Sequence, residues 1–272
     1  MPQLNLTLDA ILEQMGDAGR RLSEINANEG ASGNISVYTE EPLEPADLFP
    51  DVETIDLPIA VPDLAGKTII VTGSGRRLRE IKDDPAGNLG VLIIEDGGRK
   101  AALHTSPKRR FQRLTSELNS HLAVHRDAIG RTRTRLHTVI HAQPVYLTYL
   151  SHIDAYHDEL YFNRRMLRWQ PETIVQMPEG VGVLPFLPSG SQDLMQASVK
   201  SLETHFIIVW SKHGVLARSD GSVRRAVDLI EYAETAARFE YLNLAGGGRA
   251  AGLSLEELRA IIHAFKLTQS YF

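Results

Sequence analysis

A mixed α/β fold is what this sequence predicts, and three features carry the prediction. Apolar residues recur at three- and four-residue steps over 7–25 and 222–244. Short β-branched runs stand at 67–72, 91–95, 136–142 and 205–210. Clusters of Gly, Pro, Asn and Asp separate these segments. With 272 residues and 43 % hydrophobic content, the chain can bury one sizeable core or two modest ones.

Taken in order, Leu8, Ile11, Leu12, Met15, Ala18, Leu22 and Ile25 define one helical face, with Thr7 as its N-cap. The helix stops at the turn formers of 26–30. A small-residue loop follows and leads into a strand near 34–37. Such a loop lets backbone N–H groups approach an anion, and an ordinary turn is the plainer reading. Residues 40–66 are rich in proline and acids without sustained periodicity, so they read as a long surface excursion within one domain. The strand at 67–72 ends in Thr72-Gly-Ser-Gly75, with Arg76, Arg77 and Arg79 directly behind it. This pattern suits a phosphate as well as it suits a solvated turn. Residues 84–98 read as a lead-in, a strand and a hairpin turn.

A second helix is predicted to start at Thr115-Ser-Glu117, where Glu117 would face the positive helix end. His121 and His125 lie one turn apart and form either a metal pair or one inward and one outward side chain. In the strand at 136–142, His137, His141 and Gln143 point to one face. His137 and His141 would stand roughly 13 Å apart, too far to share an ion. His152 and His157 read as surface or packing residues. Residues 174–185 alternate strand-like runs with turns, a helix is expected over 191–202, and His213 follows the strand at 205–210. Val223, Ala226, Val227, Ile230, Ala233, Ala237 and Leu242 mark the apolar side of the long helix. A short last helix opens with Ser254 and its capping-box partner Glu257.

Composition excludes several function classes. A net charge of −5 argues against a general nucleic-acid binder. With no cysteine, any metal site must use His, Asp or Glu. No window approaches the roughly 20 apolar residues of a membrane span. Residues 1–6 lack the basic start and apolar stretch of a signal peptide, so a soluble cytoplasmic protein is expected.

The motifs Gly33-Asn34, Thr72-Gly-Ser-Gly75, Asp84-Pro-Ala-Gly-Asn-Leu-Gly90, Thr115-Ser-Glu117, Ile140-His141, the stretch 178–185 and His213-Gly-Val215 come in one order with characteristic spacing. In these the chain resembles the class II aldolase/adducin family, from about residue 8 to 262. The resemblance implies one three-layer α/β domain over 1–272, a central and mostly antiparallel sheet flanked by helices. It also implies a homotetramer with active sites at subunit interfaces. The implied activity is metal-dependent cleavage of a deoxyketose 1-phosphate, of rhamnulose- or fuculose-1-phosphate type, to dihydroxyacetone phosphate and lactaldehyde. A sugar-phosphate 4-epimerase or a non-catalytic adducin-like oligomer are the alternatives on this scaffold.

Carried over by motif, Glu117 is the catalytic acid/base. His141 and His213 are metal ligands, and Asn34, Ser74, Gly75, Thr115 and Ser116 bind the substrate phosphate. The family's aldolases hold Zn²⁺ with three histidines, but Gln143 stands where the second is expected. A neutral amide oxygen is the harder donor, so Mn²⁺ or Mg²⁺ become alternatives to Zn²⁺. The family's second carboxylate matches the segment 168–172, where Glu172 is the nearest acid and Arg168 the more literal match.

Overall fold

The computed structural model describes residues 7–45 and 47–272. Residues 1–6, read above for a signal sequence, lie outside the described residues. The strands are β1 (Asn34–Thr39), β2 (Asp51–Asp56), β3 (Thr68–Thr72), β4 (Leu89–Ile94), β5 (Lys100–Thr105), β6 (Leu136–Ala142), β7 (Gly182–Leu184), β8 (Ile207–Trp210) and β9 (Gly214–Ser219). They join one sheet in the order β2-β5-β4-β3-β1-β6-β9-β8-β7. Every pairing is antiparallel except that of β7 with β8.

The helices are α1 (Leu8–Glu24), α2 (Pro85–Asn88), α3 (Leu118–Thr132), α4 (Val145–Leu150), α5 (Glu159–Met166), α6 (Pro171–Gln176), α7 (Gln192–Ser201), α8 (Val223–Ala245) and α9 (Leu255–Phe265). Their ends follow local chemistry. The side chains of Thr7, Ser191 and Ser222 each accept a backbone N–H of the turn they open, and Ser254 with Glu257 forms a complete capping box.

Alternation along the central strands sorts apolar side chains to the two faces of the sheet. Ile35 and Val37 of β1, Ile140 and Ala142 of β6, and Val215 and Ala217 of β9 face α1, α4 and α8, which pack with them in the main core. On the opposite face Val139, Ile208, Trp210 and Leu216 pack with Val124 of α3 and Leu194 of α7. The result is the three-layer α/β arrangement expected from the family resemblance. Each fully buried aliphatic side chain here contributes about 1.5–3 kcal/mol relative to exposure.

Several local expectations are corrected. The excursion at 40–66 contains the edge strand β2 and buries Leu43, Phe49, Val61 and Leu64. β2 escaped the pattern because nearly all of it is exposed and neither face need be apolar. Helix α3 starts at Leu118, three residues later than predicted, leaving Glu117 at the N-cap. His121 and His125 are both fully buried, where one was expected to face solvent. The segment 174–185 yields the end of α6 and the short β7. Leu242, assigned to the apolar side of α8, is 51 % exposed.

Candidate active site

The four central strands run β3-β1-β6-β9, and each is antiparallel to its neighbour. The exits of β3 and β6 and the entries of β1 and β9 therefore meet at one end of the sheet. That end holds a cavity of about 270 Å³. All nine residues singled out from the sequence line it: Asn34, Ser74, Gly75, Thr115, Ser116, Glu117, His141, Gln143 and His213.

Each is placed by a local cause. Asn34 opens β1 and lies opposite His141 of β6 in register, so both side chains project to the α3 face. His213 sits in the tight β8–β9 connection, where Lys212 adopts φ 64° and Gly214 pairs with Trp210. Two glycines let the backbone close in around β6. A Cβ on Gly33 (φ 79°) would come within 2.9 Å of the His141 carbonyl, and one on Gly214 within 2.4 Å of the Ala142 carbonyl. Trp210 backs the two histidines, stacked against His141 with ring centroids 4.8 Å apart and against His213 at 5.3 Å. Its indole N–H donates to Ser198 Oγ at 2.9 Å, which fixes the ring.

Glu117, His141 and His213 form the chemical centre. One ligand atom from each lies within 4.8 Å of the others. Glu117 Oε2 is 3.8 Å from His141 Nε2, and Oε1 is 3.7 Å from His213 Nε2. His141 Nδ1–H donates to the Val215 carbonyl at 2.8 Å, which leaves the Nε2 lone pair facing the cavity. The Glu117 carboxylate accepts from Asn34 Nδ2 at 2.8 Å and from Ser189 Oγ at 2.6 Å. Burial pushes this carboxyl up, but the neighbouring His141 ring and these two donors outweigh it. The group is held below the ordinary carboxylate range. Burial, with His141 adding to it, lowers His213 against the pull of Glu117. A neutral imidazole with a free lone pair is the form that binds a metal. Two imidazoles and a carboxylate therefore make a donor set suited to a borderline divalent ion, with the Gln143 side chain at the same cavity wall.

Among the cavity residues not singled out as site residues, two carry hydroxyls, Ser32 and Ser189. Ser189 belongs to the loop before α7, which was read only as a helix start. Asn119 Nδ2 of α3 ties that loop down by donating to the Gly190 carbonyl at 2.9 Å. Ser32 lies in the small-residue loop before β1, and its hydroxyl has no hydrogen-bond partner among the described residues. The arginines after Gly75 contribute nothing to the lining. Arg76 is engaged by Asn88, Glu80 and the Arg110 carbonyl, so the cavity's polar wall consists of hydroxyls, amides and backbone. Neither Arg168 nor Glu172 lines the cavity, and Arg168 lies 3.7 Å from Glu240 of α8.

The model of the family described as Class II Aldolase and Adducin N-terminal domain matches residues 13–241. This chain belongs to the class II aldolase and adducin family. Among curated relatives, the rhamnulose-1-phosphate aldolase of Klebsiella pneumoniae (strain 342) is 31 % identical over 244 residues, covering 88 % of this chain and 87 % of that protein. The rhamnulose-1-phosphate aldolase of Escherichia coli O7:K1 is 31 % identical over 215 residues, covering 79 % and 77 %. A sugar-phosphate aldolase from Thermotoga maritima shares the fold with a TM-score of 0.76 at 24 % identity, covering 90 % of this chain and 98 % of that one. An L-fuculose-1-phosphate aldolase from Thermus thermophilus does so at 0.57 and 18 %, covering 90 % and 100 %. Within this family the chain falls on the enzymatic side, as a class II aldolase of the lyase class.

Proposed function

We propose that this class II aldolase, acting as one domain over 1–272, cleaves a deoxyketose 1-phosphate of the rhamnulose- or fuculose-1-phosphate type. The products are dihydroxyacetone phosphate and lactaldehyde. The observation that carries the proposal is the convergence of Glu117, His141 and His213 within 4.8 Å in a cavity walled by small polar residues. The curated relatives named rhamnulose-1-phosphate aldolase support the substrate class.

In this reading His141 and His213 hold a divalent ion, with the Gln143 amide oxygen as a further donor and the Glu117 carboxylate beside it. Zn²⁺ is the ion we assign from the two imidazoles, with Mn²⁺ or Mg²⁺ as the alternatives that the amide oxygen of Gln143 favours. Once bound, such an ion supplies Lewis-acid stabilisation of the negative charge that develops on the ketose half. Asn34, Ser74, Gly75, Thr115 and Ser116 bind the phosphate, and the unpartnered Ser32 hydroxyl adds a donor. Holding the phosphate aligns the C3–C4 bond for cleavage. As the C3–C4 bond breaks, the C4 hydroxyl gives its proton to the Glu117 carboxylate and C4 becomes the aldehyde carbon of lactaldehyde. The electron pair of the bond stays on the C2–C3 half, and Glu117 returns that proton to C3. In the synthetic direction the same carboxylate removes that proton. Asn34 and Ser189 keep both carboxylate oxygens directed into the cavity.

We also propose that the enzyme works in the cytoplasm. No helix among the described residues is long and apolar enough to cross a membrane. We also propose a homotetramer with active sites at subunit interfaces, supported by the family resemblance and by the exposed Val145, Tyr149, Phe239 and Leu242 on α4 and α8. Light scattering of the purified protein reads the assembly directly.

The deciding assay supplies rhamnulose 1-phosphate and fuculose 1-phosphate to the metal-loaded protein and follows dihydroxyacetone phosphate release. No release with Zn²⁺, Mn²⁺ or Mg²⁺ present overturns the lyase reading. Glu117→Gln is expected to lower turnover by about 10²–10⁴-fold while metal content is kept. Unchanged turnover removes Glu117 from its role.

A further inference from the structure

Behind Glu117 lies a row of buried polar side chains that the proposed reaction does not use. Glu117, His121 and His125 follow one another at four-residue steps and so share the inner side of α3. Asn34 and Ser36 alternate on β1 toward that side, and His137 reaches it from β6, opposite Tyr38. Ser36, His121, His125 and His137 are all fully buried. Their ring nitrogens and hydroxyl are linked in series. His137 Nδ1 meets His125 Nδ1 at 2.7 Å, and His125 Nε2 meets Ser36 Oγ at 2.7 Å. Ser36 Oγ then meets His121 Nδ1 at 2.6 Å, and His121 Nε2 bonds Asn34 Oδ1. Asn34 Nδ2 finally donates to Glu117 Oε2 at 2.8 Å.

The direction of every link follows from the last one. A carboxylate only accepts, so the Asn34 amide nitrogen faces it and the amide oxygen faces His121. His121 must then carry its proton on Nε2, and its bare Nδ1 accepts from the Ser36 hydroxyl. Ser36, having donated, accepts from His125 Nε2–H. The bare Nδ1 of His125 takes the proton of His137 Nδ1. One nitrogen is left over at the tail, His137 Nε2, and the chain leaves it without a proton. In the structure His137 Nε2 has no hydrogen-bond partner among the described residues, and its neighbour at 3.6 Å is another acceptor, Asp220 Oδ1.

We propose that Ser36, His121, His125 and His137 form, with Asn34, a one-way hydrogen-bond chain whose five donors all point toward Glu117, and that they are positioning residues for its carboxylate. This rests on the reading of Glu117 as the acid/base group. Burial supports it independently, since it lowers His125 and holds His121 down to about 4 and His137 down to about 3. Each ring is then neutral near pH 7, with one N–H and one bare nitrogen. A packed, satisfied chain gives Asn34 a single amide orientation and thereby fixes one carboxylate oxygen of Glu117.

The full-length protein labelled with ¹⁵N-histidine provides the direct test. Two-bond ¹H–¹⁵N correlations, assigned through single His→Gln variants, show which ring nitrogen carries the proton. His121 and His125 are expected as Nε2–H and His137 as Nδ1–H. The opposite tautomer at any of the three overturns the chain. Kinetics of Ser36→Ala, which cuts the chain at its middle, are measured beside Glu117→Gln. Ser36→Ala is expected to lower kcat by about tenfold, with KM for the sugar phosphate and metal content unchanged. An undiminished kcat in Ser36→Ala, with Glu117→Gln inactive, overturns the positioning role alone. Full turnover in Glu117→Gln overturns the reading of Glu117 and this role with it. If Ser36→Ala does not fold, the wild-type tautomers decide.

Discussion

Gln143 is the residue that most separates this site from a three-histidine centre. It lines the cavity beside His141, and its backbone N–H is held by the Ala27 carbonyl at 2.6 Å. Gln143→His adds an imidazole without moving the strand end. Zn²⁺ affinity is expected to rise at least roughly tenfold, because imidazole is the better donor for that ion. Competition with a coloured chelator reads this without any substrate, and an affinity equal to that of the parent would show that position 143 does not reach the ion. Gly214→Ala acts on the same centre from the backbone. Its Cβ would meet the Ala142 carbonyl at 2.4 Å and His141 Cε1 at 3.0 Å, so His141 and its strand must shift. Weaker metal binding is expected even where circular dichroism shows the fold retained.

Elements are tied to α8 by a buried carboxylate. Glu240 is fully buried and accepts from Arg165 Nε at 2.7 Å, Trp169 Nε1 at 2.9 Å and the Tyr156 hydroxyl. This one group fastens α5 and the chain on either side of it to the middle of the molecule. Glu240→Ala leaves Arg165 without its partner in a partly buried setting. A loss of about 3–5 kcal/mol is expected, read by urea denaturation. A loss within experimental error would mean that the carboxylate is not the fastening. Several elements were legible before folding, among them α1, β6 and α7, because capping residues and apolar periods mark their limits. By contrast β2 and β9 were not. β2 is an exposed edge with no buried face to enforce alternation, and β9 is recognisable only once β6 and β8 flank it.

Across the whole molecule, buried titratable groups set how stability depends on pH. Folding lowers His121, His125 and His137 by burial, so below about 6.5 the unfolded chain binds more protons than the folded one. Their contribution is lost as pH falls from there. Glu234 has the opposite sign. Burial raises it to about 7, although its carboxylate accepts the Tyr146 and Leu147 N–H groups at 2.9 Å. It favours folding below about 4.5 and this is lost as pH rises toward 7. Apart from the metal-site residues, three histidines against one carboxyl leave about two net protons between pH 4.5 and 6.5. These groups should then make stability rise with pH across that range. Chemical denaturation across that range measures the slope, and Glu234→Gln should increase it. A flat wild-type profile would contradict these assignments.

Single stretches of sequence determined the strand at 136–142, the helix caps at Thr7, Ser191 and Ser254, and the short list of residues able to hold an ion in a chain without cysteine. They did so because caps and alternation are local rules, carried by neighbours in the chain. The family motifs further nominated the residues that meet in the cavity. Only the tertiary structure decided that Glu117 stands 3.8 Å from His141 and 3.7 Å from His213, that Ser32 and Ser189 join the cavity wall, and that Arg76 faces away from it. It also decided that His121 and His125 both turn inward, since their partners Ser36 and His137 come from strands that meet α3 only through the sheet. Burial of a polar side chain depends on which distant element supplies its partner, and no local period in the sequence encodes that.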